Sequence, residues 1–100
     1  MSYRIRRVDD NQKSIVDVFR GLGASVQILS DVGKGCPDLL IGIFGKNFLI
    51  EIKDGAKPES ARKLTKFERI FFDRWKGHVC VINSEREAID FITKERFKDG

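Results

Sequence analysis

The stretch CPDLLIGIFGKNFLIEIK, residues 36–53, decides how this chain of 100 residues is interpreted. Apolar runs rich in Ile, Leu and Phe stand on both sides of a glycine-containing turn at residues 45–47, which predicts a β-hairpin. Side chains alternate between the two faces of a strand, so Glu51 and Lys53 should point to one face and Ile50 to the other.

An acid that follows a proline, Asp38, opens the first strand of this hairpin. Pairing about Lys46 would place Asp38 opposite residue 54, near Lys53 and one alternation from Glu51. Two carboxylates with a main-chain carbonyl and water form a ligand set that Mg²⁺ accepts. A lysine beside such an ion can orient or deprotonate an attacking water, or stabilise charge on a phosphate. The stretch therefore predicts a divalent-metal site.

The same residues have a simpler interpretation. Glu51 and Lys53 could form an ion pair on an exposed strand, since Glu-x-Lys is a common strand pattern, and Asp38 could merely start the other strand. Most positions in residues 48–52 are apolar, however, which indicates a buried strand where unpaired charges are costly. Spacing alone leaves both interpretations open.

An ordered set of short motifs covers most of the chain. The motifs are Asp9-x-Asn11-Gln12, Gly33-x-Gly35-x-Pro37-Asp38-Leu39-Leu40, Leu49-Ile50-Glu51-Ile52-Lys53-Asp54, Leu64-Thr65 and Trp75-x-Gly77. Pro-Asp, a hairpin and Glu-x-Lys together resemble the PD-(D/E)xK nuclease signature. With the flanking motifs, the set resembles the virus-type replication-repair nuclease (VRR-NUC) domain in its stand-alone, phage-like form.

This resemblance implies an α/β fold, with a single PD-(D/E)xK restriction-endonuclease-like domain over residues 1–100. Its central mixed β-sheet would be flanked by helices in the order α-β-β-β-α-β-α. Asp38 and Glu51 would hold Mg²⁺ or Mn²⁺, and the main-chain carbonyl of Ile52 would complete the protein ligands. Lys53 would be the catalytic lysine of a DNA endonuclease that leaves a 5′-phosphate.

The chain departs from the family at two positions near the implied site. Many relatives carry an acid on the first helix that reaches the metal, whereas this chain has the amides Asn11 and Gln12 there. Either amide could contact a water at the metal. Glu68 stands where the family usually has glutamine, and it could add a ligand or serve only as a helix cap. We favour the cap.

Periodicity predicts the remaining elements. Residues 24–30 and 78–83 are interpreted as strands, the second of them buried. Capping boxes are expected at Asp9 with Gln12 and at Thr65 with Glu68. The apolar residues expected to face the core are Ile15, Val18, Phe19 and Leu22 on the first helix, Phe67, Ile70, Phe71 and Trp75 on the second, and Ala88, Ile89, Ile92 and Phe97 on the third.

The formal charge of +4 suits a polyanionic partner such as DNA. The polar segment at residues 55–63 follows the Glu-x-Lys strand, so it could form one wall of a DNA groove or be a solvated linker. The candidates for phosphate contacts are Lys34, Lys57, Arg62, Lys63 and Lys66. No zinc-finger or helix-turn-helix pattern is present, which favours recognition of DNA shape over DNA sequence.

Several classes of protein are disfavoured by composition. No apolar run approaches the roughly 18 residues needed to span a bilayer, so no membrane partner is expected. The first twelve residues lack the apolar centre of a secretory signal. Cys36 and Cys80 lack zinc-site spacing and are interpreted as small core residues. Reduced thiols indicate the cytoplasm, which is the host's if the gene is a phage's.

A single metal centre cuts one strand per encounter, whereas the stand-alone nucleases that this chain resembles act on four-way junctions. The resemblance therefore predicts a homodimer that resolves Holliday junctions in DNA repair, because two-fold symmetry supplies two sites. Phe72 and part of the second helix could pack against a partner subunit, or all its aromatic residues could be core. The alternatives are a flap or duplex nickase and a nuclease-fold module that binds nucleic acid without cutting.

Overall fold

The computed structural model describes residues 10–98. In chain order the elements are α1 (Gln12–Gly21), β1 (Ser25–Ile28), β2 (Leu39–Ile43), β3 (Lys46–Ile52), a 3₁₀ helix (Glu59–Arg62), α2 (Lys66–Arg74), β4 (Val79–Ile82) and α3 (Glu85–Arg96). The predicted α/β class and the predicted order of helices and strands are confirmed. No helix within the described range is long and apolar enough to cross a membrane.

The four strands form one mixed sheet in the order β1-β2-β3-β4. β2 pairs antiparallel with β1 and with β3, whereas β3 and β4 run parallel. β3 therefore lies in the interior of the sheet and β4 at its edge. The prediction of a buried strand at residues 78–83 is wrong, since most of β4 is only half-buried. An edge strand has a neighbour on one side only. The first strand is also shorter than the predicted 24–30.

The hairpin turn differs from the predicted turn at residues 45–47. Its two central residues are Phe44 and Gly45, with φ angles of 55° and 75°. Positive φ at both positions is the geometry of tight two-residue hairpin turns, and a phenylalanine is rarely found there. The Arg96 guanidinium lies 5.6 Å from the centroid of the Phe44 ring, which packs this turn against the end of α3.

The tighter turn changes the register of the hairpin. Leu39 pairs with Ile50, so the next position along each strand places Asp38 opposite Glu51. The prediction that Asp38 lies opposite residue 54 is wrong by three residues. The correction brings the two acids closer, because residues directly opposite each other project to the same face with Cβ atoms roughly 5 Å apart.

The hydrophobic core lies between one face of the sheet and the helices α1 and α3. Its buried members are Ile15, Val16, Phe19, Ala24, Leu39, Ile41, Phe48, Ile50, Ile52, Ile82, Ala88 and Ile92. Along β3 the alternate positions Phe48, Ile50 and Ile52 belong to this core, as the predicted alternation requires. Glu51 and Lys53 therefore project to the opposite face, which carries the candidate site.

Helices α1 and α3 confirm most of their predicted apolar stripes. Ile15 and Phe19 are fully buried on α1, which begins at Gln12 with no side-chain cap bond. The Asp9 half of the predicted capping box lies outside the described residues. On α3, Ile89 and Phe97 are 40% and 77% exposed, so their inward assignment is wrong. The inner stripe instead follows Ala88, Ile92 and Glu95, while Phe97 lies beyond the last helical turn.

Helix α2 contradicts its prediction most strongly. Phe67, Ile70 and Trp75 are 63%, 38% and 47% exposed, and no residue of α2 is buried. The core face of the sheet is already covered by α1 and α3, so α2 has no apolar surface to cover there. Cys36 and Cys80 are also only half-buried, and of the two only Cys80 packs against the core.

Candidate functional site

The two acids of the Pro-Asp and Glu-x-Lys motifs meet on the face of the sheet opposite the core. Glu51 is 4% exposed near the C-terminal end of the interior strand β3. The Ile52 main-chain N–H donates to Oδ2 of Asp38 at 2.8 Å, so β3 itself fixes the carboxylate of Asp38. The site therefore has a rigid base formed by two paired strands.

Lys53 projects to the same face as Glu51 and joins the two carboxylates beside it. Its Nζ lies 3.6 Å from Oε2 of Glu51 and 2.8 Å from Oε1 of Glu68. The three side chains are 12%, 6% and 17% exposed, so this pairing is largely shielded from water. The ion pair of the simpler interpretation is therefore present, but its placement on an exposed strand is wrong, because Glu51 is buried.

Glu68 joins α2 to the site. The Thr65 N–H donates to Oε1 of Glu68 at 2.8 Å, and the Glu68 N–H donates to Oγ1 of Thr65 at 3.2 Å. The predicted capping box is thus confirmed. The same Oε1 also accepts from Lys53, a contact that the sequence analysis missed. The Thr-x-x-Glu pattern predicted the cap. The pattern could not predict which strand Glu68 would contact, because that depends on the path of the chain between β3 and β4.

Among the described residues, acidic groups outnumber basic ones at the site. Burial raises the pKa of Glu51 to about 9, and the neighbouring carboxylates of Asp38 and Glu68 add to the shift, while Lys53 opposes it. Burial also disfavours the charge on Glu68, but hydrogen bonds from Lys53 and from the Thr65 main chain outweigh it and lower the pKa of Glu68. Within residues 10–98, Lys53 thus faces three carboxyl groups, and a divalent cation would relieve their repulsion.

The donor set suits a hard cation. The structure contains no group of three or more His, Cys, Asp or Glu side chains arranged for a metal within residues 10–98. Mg²⁺ does not need such a cage, because it keeps several waters and binds through one or two carboxylates. Asp38 and Glu51, with the Ile52 carbonyl as the third predicted ligand, match that preference.

The amides that replace the family's helix-one acid make other contacts. Asn11 Nδ2 donates to the carbonyl of Lys53 and to the carbonyl of Asn83, each at 3.1 Å, so it ties the ends of β3 and β4 together. Its Oδ1 is buried and has no hydrogen-bond partner among the described residues. Gln12 forms a buried pair of hydrogen bonds with Ser30. A role for either amide at a metal-site water stays a prediction.

Two of the basic residues predicted to contact phosphates line different hollows. Lys34 lies beside the exposed face of α2, where it lines a groove of about 260 Å³. Arg62 lines a hollow of about 450 Å³ next to Asp54 and the start of α3, and its Nε donates to the Lys57 carbonyl at 2.9 Å. The side chains that complete the predicted set, Lys57, Lys63 and Lys66, are exposed.

Comparison of the chain with protein-family models, with curated proteins and with solved structures finds no match in any of the three. The fold and the site by themselves define the class of molecule. It is an α/β domain whose mixed sheet presents a shielded cluster of carboxylates and one lysine on the face away from its core.

Proposed function

We propose that the protein is a Mg²⁺- or Mn²⁺-dependent DNA endonuclease of the PD-(D/E)xK type. The observation that carries the proposal is the position of Asp38, which directly precedes the interior strand β2, opposite Glu51 of the interior strand β3, with Lys53 beside Glu51. A buried acidic cluster of this kind is costly to fold, and such a cost is typical of a binding or catalytic centre. The order of helices and strands agrees with the fold that the motif resemblance implies.

Asp38, Glu51 and the Ile52 carbonyl would hold the ion, which supplies Lewis-acid polarisation of the phosphate and activation of a water. Lys53 directs its ammonium group to the same face, where it can orient the attacking water and stabilise charge on the phosphate. Glu68 holds that ammonium group in place from α2. The strand pair keeps these groups rigid, so little reorganisation accompanies the reaction.

DNA binding is proposed on the grounds of charge. The chain carries a formal charge of +4, and the exposed lysines around residues 57–66 follow directly on the strand that carries Glu51 and Lys53. Phosphate contacts from these side chains would position any DNA in a sequence-independent way.

A finer proposal concerns the substrate and the assembly. We propose branched DNA as the substrate and a homodimer that resolves Holliday junctions, because one chain carries one such site and a junction requires two symmetric cuts. Sedimentation equilibrium at micromolar concentration tests the dimer. A clean monomer that nicks flaps but not junctions would leave the nuclease proposal standing and remove the resolvase.

A second candidate function is a nuclease-fold module that binds nucleic acid without cutting it. It is favoured by the helix-one position, where Asn11 bonds to main-chain carbonyls and no acid is present. The two functions differ in one result, which is metal-dependent cleavage.

The test is a cleavage assay on four-way junctions, flaps and linear duplexes with Mg²⁺ or Mn²⁺. Wild-type protein should cut at least one of them, and Glu51→Ala should cut none while retaining its fold by circular dichroism. The exposed acid Glu59 provides the matched control, since Glu59→Ala should cut at the wild-type rate. Near wild-type cleavage by folded Glu51→Ala would refute the assignment.

A further inference from the structure

The exposed face of α2 is an apolar surface without a covering element in the described part of the chain. Phe67, Ile70 and Trp75 are 63%, 38% and 47% exposed. The rings of Phe71 and Trp75 stack with centroids 5.1 Å apart and an interplanar angle of 16°. A flat, pre-ordered aromatic surface of this kind needs little reorganisation to receive another planar group.

The border of this face is cationic. Lys34 and Arg74 line the groove together with Phe67, Ile70, Phe71 and Trp75. Residues 66–76 contain four basic residues and two acidic ones, and one of the two acids, Glu68, is already paired with Lys53. Aromatic side chains among unpaired basic ones are the typical combination on surfaces that bind single-stranded nucleic acid.

The face is rigidly connected to the candidate metal site. Gly35 has a φ of 80°, and a Cβ at this position would overlap the backbone of Phe67 and Glu68. The loop before β2 therefore packs directly on the first turn of α2. In sequence, Lys34 precedes the contacting Gly35, and residues 36–38, which end at Asp38, follow it. Phe67 and Glu68 are sequence neighbours, and Glu68 bonds to Lys53. A strand held on α2 would lie beside the site.

We propose that this face of α2 binds unpaired nucleobases of a DNA strand by stacking on Phe67 and the Phe71–Trp75 pair, while Lys34 and Arg74 contact its phosphates. The inference rests on the proposed nuclease function and narrows its substrates to branched DNA with a single-stranded segment next to the cleaved bond, such as a flap, in place of a four-way junction, whose arms are fully paired. A second copy of the chain is the other candidate occupant. Charge disfavours it, because two-fold packing would bring the two basic borders together.

Trp75 makes the proposal directly measurable, since it is the only tryptophan in the chain. Its fluorescence is titrated, in EDTA so that no cleavage occurs, with a 12-nucleotide oligo-dT, with an abasic 12-mer of equal charge and with a 12-base-pair duplex. Oligo-dT should quench Trp75 and bind at least about ten-fold more tightly than the abasic strand, because base stacking is absent from the latter. The duplex should quench little, since its bases are already stacked.

Matched variants separate stacking from charge. Phe67→Ala should weaken oligo-dT binding by roughly ten-fold or more and leave abasic binding nearly unchanged. Phe97→Ala, which truncates a phenylalanine outside α2 that is 77% exposed against 63% for Phe67, should change neither. Equal affinity for oligo-dT and the abasic strand, or Trp75 emission that does not respond to oligo-dT, would overturn the proposal. A self-association that Phe67→Ala abolishes would overturn it in favour of a second copy.

The binding assay and the cleavage assay fail independently. Absence of quenching together with metal-dependent cutting of duplex DNA would remove the stacking surface and leave the nuclease in place. Quenching by oligo-dT without cleavage of any substrate would remove the nuclease and keep a single-strand binding surface on α2.

Discussion

Strand β3 and helix α2 both depart from the usual burial of apolar side chains and exposure of charged ones, but each in a different way. β3 buries a carboxylate, Glu51, in the middle of the sheet, whereas α2 exposes Phe67 and Trp75 to solvent. In most proteins large apolar groups are buried and ionisable groups are not. Both exceptions therefore call for an explanation other than stability, and they lie side by side because Glu68 of α2 bonds to Lys53 of the β3 motif.

The two exceptions differ in the kind of free-energy cost that each carries. The cost of burying Glu51 is a desolvation cost, which a bound cation would offset. The cost of exposing the α2 aromatic face is a loss of hydrophobic stabilisation, which a bound partner would recover. A cation would thus suit β3, and a planar, polyanionic partner would suit α2.

Among the residues that join the two regions, the largest effect is expected at Lys53. Lys53→Met keeps much of the side chain's shape but removes its charge, and cleavage should fall by on the order of 10²- to 10³-fold. Glu68→Gln preserves the capping box, because Gln also serves at that position, so the loss should be smaller. Single-turnover cleavage rates measure both. A folded Lys53→Met protein with half of the wild-type rate would exclude a catalytic role.

The buried carboxyl should make the metal-free protein sensitive to pH. The pKa of Glu51 is about 9 in the folded chain against 4.5 as the ordinary value, so the folded state keeps a proton that the unfolded state releases. Stability should therefore fall as pH rises from about 5 to 8, by at most about 1.4 kcal/mol per pH unit. Urea denaturation across this range in EDTA measures it.

Glu51→Gln provides the comparison for that pH series. The variant should be more stable than wild type at pH 8, by on the order of 1 kcal/mol or more, and should show a flatter pH dependence. Glu59→Gln, at an exposed position, should follow wild type. Parallel curves for wild type and Glu51→Gln would show that the carboxyl of Glu51 is not the group responsible.

Mutation can compare two possible sources of stability for α2, which are its N-terminal cap and the packing of its aromatic side chains. Thr65→Ala removes the N-terminal cap and should cost about 1 kcal/mol of unfolding free energy. Phe67→Ala should stay within about 0.5 kcal/mol of wild type, because the ring is mostly exposed. The reverse ranking in chemical denaturation would mean that aromatic packing, and not the cap, holds the helix.

The smallest effect is expected from the basic loop. Replacing Lys57, Lys63 and Lys66 by Gln should weaken binding to all DNA substrates alike and lower the salt slope by about one unit per lost phosphate contact. Lys13→Gln on α1 is the control, because Lys13 is paired with Asp17. A slope that does not change would move the DNA path to the N-terminal arginines or the C-terminal basic residues.

The sequence predicted what depends on local pattern. Alternation along β3 placed Glu51 and Lys53 on one face, and the Thr65 capping box was visible as a motif. The register was not predictable from the same pattern, because the turn is formed by Phe44, a residue that seldom adopts positive φ. The hairpin register, which differs by three residues from the predicted one, decides whether Asp38 lies opposite Glu51.

The exposure of α2 and its contact with Lys53 could not be read from periodicity. An amphipathic stripe of aromatic residues predicts a buried face only if core surface is free to receive it. Here α1 and α3 cover that surface, which is a consequence of the whole topology. The sequence-based prediction failed most on α2 because no core surface is free to cover its aromatic face. The same exposure of that face suggests a function for it.

The most direct test of the central claim is a calorimetric titration of the protein with Mn²⁺. Wild-type protein should show saturable binding, and Asp38→Asn should weaken it by at least about ten-fold while the far-UV spectrum stays the same. Asp17→Asn, an exposed acid on α1, should bind as wild type does. Identical isotherms for wild type and folded Asp38→Asn would contradict the assignment of Asp38 and Glu51 as a metal site.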